Sequence, residues 1–346
     1  MSQTAVIVCP GRGTYNKAEL GYLARHHADQ QALFDDFDAI RSAAGQAGVT
    51  ELDGADTFSA ATYSRGDVAS PLIFAASLAD ARSIDDDIEI VAVTGNSMGW
   101  YIALAVAGAV SPTDGFTIVN TMGTLMHEHL IGGQLVYPFV DEDWRADNDS
   151  RQKLLDTVAT INADSDKHLA LSIDLGGMLV IAGDEAGLKA FEQAVPKRQE
   201  RYPMRLMNHA AFHTALQQPV SDAGRAQLGG IEFGQPQVPL IDGRGHVWWP
   251  HASDTTQLRD YTLGHQVTRP YDFTGAVQAA ACEFAPDLFI VTGPGTTLGG
   301  AVIQSLLQIE WLGLRSKQDF VRRQESEPLL VSMGMASQRA TVTHTS

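Results

Sequence analysis

The 346-residue chain has only two cysteines, Cys9 and Cys282, both in apolar stretches. Two thiols cannot build a disulfide frame, and neither sits at a metal-ligand spacing. A reducing, cytoplasmic location without a bound metal is therefore expected. No eighteen apolar residues run together, so no membrane span is expected. The first residues lack a charged segment leading into an apolar one, so no secretory signal is expected either. Positive charge is scarce: 24 Lys and Arg face 41 Asp and Glu, a formal net charge of −17. That balance argues against nucleic acid and against anionic membrane surfaces as partners. Nucleotide loops are also missing. The glycines at 11–13 are not followed by a Gly-Lys-Ser/Thr ending, nor by the third glycine of a dinucleotide fingerprint. Asp85-Asp86-Asp87 reads as a solvated turn rather than a metal site.

What is present begins at residues 88–109. A β-branched run, Ile88-Glu-Ile-Val-Ala-Val-Thr94, ends in Gly95-Asn96-Ser97-Met98-Gly99, and an Ala-rich apolar helix pattern follows at once. This is the strand, G-x-S-x-G, helix arrangement of a nucleophile elbow. The turn leaves no room for side chains at its flanks, and it lifts Ser97 to a helix N-terminus where developing negative charge is favoured. The bland alternative is a glycine-rich βα turn whose serine caps the helix. Two further strands run into glycine-rich loops, at residues 5–15 and 288–298. Together the loops point to a site at the carboxyl ends of a parallel sheet.

Acyl transfer from a serine needs a base for the hydroxyl proton. Eleven histidines compete. His209 and His213 lie four apart in Met207-Asn-His-Ala-Ala-Phe-His213, between predicted elements. His26 and His27, on a polar stretch, and His127 and His129, on a helical pattern, read as structural or surface residues.

Five segments, in order, resemble one family. Cys9-Pro-Gly-Arg-Gly-Thr14 is similar to its amino-terminal Phe-Pro-Gly-Gln-Gly-Ser, and Gly95-Asn-Ser-Met-Gly99 to its Gly-His-Ser-x-Gly elbow. Ala211-Phe-His-Thr-Ala-Leu216 is similar to its catalytic-histidine segment, Leu263-Gly-His-Gln-Val-Thr-Arg-Pro270 to its Leu-x-x-Gln-x-x-x-Pro, and Thr292-Gly-Pro-Gly295 to its Val-Gly-Pro-Gly. The family is the malonyl-CoA:acyl carrier protein transacylases and the acyltransferase domains of polyketide and fatty acid synthases. The resemblance implies an α/β fold, with a hydrolase-like parallel-sheet core and an inserted small ferredoxin-like α+β subdomain. It implies Ser97 as nucleophile, His213 as base and Gln266 as the residue whose backbone carbonyl orients His213. It also implies an oxyanion hole from the backbone N–H groups of Met98 and Arg12. The acyl pocket would involve Met122, Trp100, Asn96, Ser70, Phe212 and Gly11. No permanent cofactor is implied; acyl-CoA is the substrate and an acyl carrier protein the partner.

The departures bear on specificity. Malonyl-specific members carry Arg-Gly-x-x-Met-Gln beyond the elbow helix, whereas this chain has Met122-Gly-Thr-Leu-Met-His127. The arginine that would pair with a malonyl carboxylate is Met122. A buried carboxylate without a partner is costly, and a thioether suits a neutral chain. A non-malonyl acyl group is expected, unless Arg12 replaces the missing cation. Asn96 stands for the elbow histidine, Trp100 for Glu or Gln, and Ser70-Pro71 for Gln-Pro; the bulk of Trp100 suggests a reshaped pocket.

Alternating β and α signals make residues 1–126 and 205–315 one large catalytic α/β unit. The small subdomain is expected over 127–204, with helix-like 151–160, strand signals at 168–173 and 178–182, and a helix at 184–194. Residues 316–346 read as a C-terminal helix and loosely held tail. No carrier domain is evident, so a partner in trans is expected. Its docking would need a local basic patch: Lys197-Arg198 with Arg201 and Arg205, or Arg315–Arg323 with Lys317 and Arg322. The main reading is acyl transfer from CoA to a carrier thiol through acyl-Ser97. The alternatives are a carrier-protein thioester hydrolase on the same fold and a catalytically dead docking subunit, against which Ser97 and His213 argue.

Overall fold

The structure is a computed structural model that describes residues 3–343. Two sheets organise it. The larger is built from β1 (Gln3–Cys9), β2 (Ile88–Gly95), β7 (Leu240–Ile241), β8 (Val247–Trp248), β10 (Leu288–Val291) and β11 (Leu330–Ser332), in the order β11-β10-β1-β2-β7-β8. All neighbours run parallel except the β7–β8 edge pair. The unbroken apolar run Ala5–Cys9 explains why β1 lies near the middle: a strand covered on both faces has no polar side to show. The helix Gly66–Arg82 is buried along most of its length beside the helix Gly99–Val106, and Pro112–His129 packs against both. Ser111 caps Pro112–His129, its Oγ accepting from the Asp114 N–H at 3.0 Å, with Pro112 preset for the first turn.

The second sheet joins β3 (Gly133–Pro138), β4 (Leu169–Leu175), β5 (Met178–Gly183) and β6 (Met204–Arg205) in the order β6-β3-β5-β4, every pair antiparallel. The helices Asn148–Asn162 and Glu185–Ala194 complete a βαββαβ unit, each started by an aspartate, Asp147 and Asp184, that accepts from the first-turn backbone. This is a ferredoxin-like α+β subdomain. One strand of its sheet comes from elsewhere in the chain: β9 (Tyr271–Asp272) pairs parallel with β4. The two sheets are thereby tied together directly after the segment that carries Gln266.

The C-terminal segment is not loosely held through its described residues. Strand β11 extends the main sheet beside β10, and Leu330, Val331, Ser332 and Met333 are buried. Arg339 reaches inward to Asp80 and Tyr22, and Asp80 also accepts from His27 Nε2 at 2.7 Å and from the Gly293 N–H at 2.7 Å. Burial alone would raise the Asp80 pKa; His27 and Arg339 outweigh it and hold the carboxyl below its ordinary range. His27, expected on a polar stretch, is fully buried for this reason. Cys9 is buried as its apolar setting implies, but Cys282 is exposed, because it falls on the outer face of the helix Phe273–Phe284.

Candidate active site

Strand β2 ends at the elbow, and the glycines there are dictated by contact. A Cβ on Gly95 would lie 2.4 Å from the Gly99 carbonyl oxygen, and a Cβ on Gly99 would lie 2.2 Å from that of Cys9. The turn therefore closes only with two glycines, pressed against the end of β1. Between them Ser97 is held at φ 55°, a left-handed backbone that L residues rarely adopt. Directly after it the helix Gly99–Val106 begins.

His213 reaches Ser97 from a different part of the chain. Its Nε2 lies 2.7 Å from Ser97 Oγ, and its Nδ1 lies 2.6 Å from the Gln266 main-chain carbonyl oxygen. That carbonyl can only accept, so Nδ1 carries the proton and Nε2 is free to take one from the serine. His213 too has a positive φ, 61°, and its N–H donates to the Val267 carbonyl at 2.9 Å. Burial pushes its pKa down to about 4; the bond to Gln266 opposes this, and His265 adds to it. The ring is thus neutral at physiological pH, the state in which Nε2 can accept a proton.

Gln266 does more than its main chain alone. Its side-chain amide donates to the Ser97 carbonyl at 3.0 Å and accepts from the Tyr101 hydroxyl at 3.0 Å. It follows a π-helical turn, Tyr261–His265, the kind of distortion that marks functional segments. Tyr271 donates to the Gly95 carbonyl at 2.5 Å, so the strand that joins the sheets also fixes the base of the elbow.

A cavity of about 690 Å³, its mouth included, opens beside Ser97 between the two subdomains. Its apolar lining includes Val119, Met122, Met126, Ile173, Val180 and Phe212; its polar lining includes Arg12, Ser70, Asn96, Gln134 and His209. Met98 also lines it. Among the described residues, no hydrogen bond takes up the backbone N–H of Met98 or of Arg12. The Arg12 guanidinium donates to the Asn208 carbonyl through both terminal nitrogens, at 3.1 and 3.2 Å, and to the Ser64 carbonyl at 3.3 Å. Burial lowers its pKa to about 9, so it stays charged at neutral pH. No group of three or more His, Cys, Asp or Glu side chains is placed to hold a metal ion among the described residues.

No family model matches the chain. In sequence it is similar to a polyketide synthase of Streptomyces halstedii, 26% identical over 273 residues, which cover 77% of this chain and 5% of that protein. It is also 26% identical over 211 residues to the malonyl CoA-acyl carrier protein transacylase of Salmonella typhimurium, covering 60% of this chain and 63% of that one. The chain thus matches less than two thirds of the length of either relative. In structure it is similar to the malonyl-CoA:acyl carrier protein transacylase of Xanthomonas oryzae, with a TM-score of 0.73 at 20% identity over 99% of both chains. The acyl-carrier-protein S-malonyltransferase of Burkholderia pseudomallei gives 0.75 at 21% identity over 98% of both chains. A malonyl-transacylase solved in complex with a type II polyketide synthase acyl-carrier protein gives 0.74 at 20% identity over 98% of both chains. The sequence relatives and the structural neighbours are thus malonyl-CoA:acyl carrier protein transacylases and polyketide synthases, the family that the five sequence motifs resemble.

Within the family pattern, several residues fall differently from expectation. Trp100 does not line the cavity. It is fully buried with its Nε1 donating to Thr262 at 3.0 Å and its ring edge-on to Tyr261, because its helix position faces the π-helical segment. Gly11 is not part of the cavity wall either; a Cβ there would lie 2.8 Å from the Asn96 carbonyl oxygen, so it supports the elbow from beneath. Likewise the third glycine loop buttresses the first: a Cβ on Gly295 would lie 2.4 Å from the Thr14 carbonyl oxygen. Met122, Asn96, Ser70 and Phe212 do line the cavity. Sequence reasoning missed His209 and Gln134 as cavity residues. The spacing of His209 from His213 was visible, but its role depends on Gln134 from β3, which nothing local connects to it.

The two basic segments are largely occupied within the fold. Arg205 pairs with Glu185 and Glu192, Arg315 with Glu310, and Arg322 with Asp319, while Lys317 lies over the Trp144 ring. Arg198 and Arg201 lie over the rings of Tyr137 and Tyr202.

Proposed function

We propose that the protein moves an acyl group from coenzyme A to the thiol of an acyl carrier protein through an ester on Ser97. The observation that carries this reading is the relay from Ser97 Oγ to His213 Nε2 to the Gln266 carbonyl, at 2.7 and 2.6 Å. In the first half-reaction, Ser97 Oγ attacks the thioester carbonyl and its proton passes to His213 Nε2. The tetrahedral intermediate collapses, the C–S bond breaks, and the thiol of coenzyme A leaves with that proton. In the second half, the carrier thiol gives its proton to His213 and its sulfur attacks the ester, and Ser97 departs as the hydroxyl. The Met98 and Arg12 backbone N–H groups, free of other partners, would hold the oxyanion in each half; one such donor is typically worth about 3 kcal/mol.

The preferred acyl group is neutral. Met122 is buried at the cavity wall, where a malonyl-specific enzyme would place its cation. Arg12 already spends three of its five N–H donors on the main-chain carbonyls of Ser64 and Asn208. The test is to follow acyl-Ser97 by intact mass with a panel of acyl-CoAs, with and without a carrier protein. Ester that persists alone and is discharged onto added carrier supports transfer. Ester discharged to free acid at the same rate without carrier would make the protein a hydrolase, and the absence of any ester would refute both.

A further inference from the structure

The cavity beside Ser97 holds one polar arrangement that neither a plain alkyl acyl group nor a carboxylate satisfies. It begins at Ser172, whose hydroxyl donates its single proton to the Phe212 carbonyl at 2.8 Å. The same hydroxyl oxygen must therefore accept from the Gln134 amide nitrogen, at 2.8 Å. This orients the Gln134 amide and leaves its oxygen facing His209 Nδ1 at 3.0 Å. An amide oxygen only accepts, so Nδ1 carries the His209 proton. In the neutral ring, Nε2 is then a lone-pair acceptor, and among the described residues no hydrogen bond engages it. Burial, with Arg12 nearby, keeps the ring from protonating.

Two further groups share the cavity lining with that acceptor. Arg12 uses three hydrogen bonds on the Ser64 and Asn208 carbonyls, which leaves its Nε–H and one Nη2–H available. Asn96 Oδ1, beside the nucleophile, is buried and has no partner among the described residues. A carboxylate offers acceptors alone; it would suit Arg12 but would set its lone pairs against His209 Nε2 and Asn96 Oδ1. A methylene satisfies none of the three. A hydroxyl serves the donor and one of the two acceptors, since its oxygen accepts from an arginine N–H while its single proton goes to His209 Nε2 or Asn96 Oδ1.

We propose that the acyl pocket selects a short, uncharged hydroxyacyl group, with Arg12 donating to its hydroxyl and His209 Nε2 or Asn96 Oδ1 accepting from it. This rests on the acyl-Ser97 reading above and names its substrate class.

The experiment offers the enzyme equimolar pairs matched in chain length: glycolyl-CoA against acetyl-CoA, and each enantiomer of 3-hydroxybutyryl-CoA against butyryl-CoA. Intact mass separates the two Ser97 esters of each pair by one oxygen. At least one hydroxyacyl thioester should be favoured about tenfold over its alkyl partner, the scale of one hydrogen bond to an otherwise unpaired buried group. In His209→Phe, whose folding is checked by circular dichroism, that ratio should collapse toward one. Equal labelling of every pair by the wild type overturns the inference without recourse to any variant. A ratio kept in folded His209→Phe overturns the role of His209. Failure of every thioester to label Ser97 would instead strike at the acyltransferase reading itself.

Discussion

Gln266 and Ser97 are joined through the glutamine side chain, whose amide donates to the serine carbonyl at 3.0 Å while the Gln266 main chain holds His213 at 2.6 Å. One residue thus sets the position of both Ser97 and His213. Ser97 and His213 each occupy a left-handed backbone conformation, so both need support from outside their own segments. The arrangement also explains why no aspartate completes the relay: a fixed carbonyl selects the same imidazole tautomer without burying a charge.

Gln266→Ala separates these two roles. The main-chain carbonyl stays, while the bonds to Ser97 and Tyr101 are lost. Stability should fall by about 1–3 kcal/mol, since the buried Tyr101 hydroxyl and Ser97 carbonyl lose partners. Acylation should slow but not vanish. Denaturant melts with burst kinetics check both, and loss comparable to His213→Ala would show that the side chain matters more than the carbonyl.

Ser97→Ala removes one hydroxyl at a cavity wall. No acyl adduct should form with any thioester, and the thermal midpoint should stay near that of the wild type. An adduct still seen by mass spectrometry would point to another nucleophile.

His213→Ala should slow acylation by about 10²- to 10⁴-fold, the usual contribution of a positioned base. His209→Ala should slow it much less. In the wild type the pH dependence follows from the direction of the shift. Burial lowers the His213 pKa to about 4, so the base form persists well below the ordinary histidine range. Single-turnover acylation should be level from neutral pH down to about 5 and fall with further acidification. A fall centred near pH 6.5 would mean that the ring is solvated during turnover.

Met122→Arg tests the proposed preference for neutral over carboxylated acyl groups. The wild type should show a kcat/KM for acetyl-CoA at least about tenfold above that for malonyl-CoA, because a charge-assisted pair worth ~1.5–3 kcal/mol is missing. Met122→Arg should shift the ratio toward malonyl. The room for it is set by Gly224, where a Cβ would lie 2.6 Å from the Met122 sulfur, rather than by Trp100. A wild type that already prefers malonyl-CoA would assign the carboxylate to Arg12.

Asp80→Ala tests the anchor of the C-terminal segment. It leaves Arg339, His27 and Tyr22 without their shared buried acceptor, and removal of one partner of a buried pair costs about 3–5 kcal/mol. Chemical denaturation should show that loss, with Ser97 acylation retained in the folded fraction. An unchanged midpoint would mean that the network is solvated.

The elbow was legible in the sequence because its chemistry is local. Gly95 and Gly99 are required by contacts within one turn and with the adjacent strand, and a β-branched run before an Ala-rich helix marks that turn wherever it occurs. Ala211-Phe-His213 and Gln266 became legible through resemblance, since nothing in their own spacing joins residues 53 positions apart. The ferredoxin-like unit was visible as strand and helix signals over 127–204, but not the strand Tyr271–Asp272 that ties it to the core, because two residues carry no periodicity. Side-chain direction was beyond local reading. Trp100 turns inward to Tyr261 rather than into the cavity, and Cys282 faces solvent although its neighbours are apolar, since each depends on which helix face meets the core. The C-terminal residues look polar and loose in sequence; a buried aspartate on a distant helix draws Arg339 in. Sequence set the reactive turn and the tendency of each segment. Packing between distant segments decided which side chains meet around Ser97, because hydrogen-bond geometry and burial exist only once those segments are brought together.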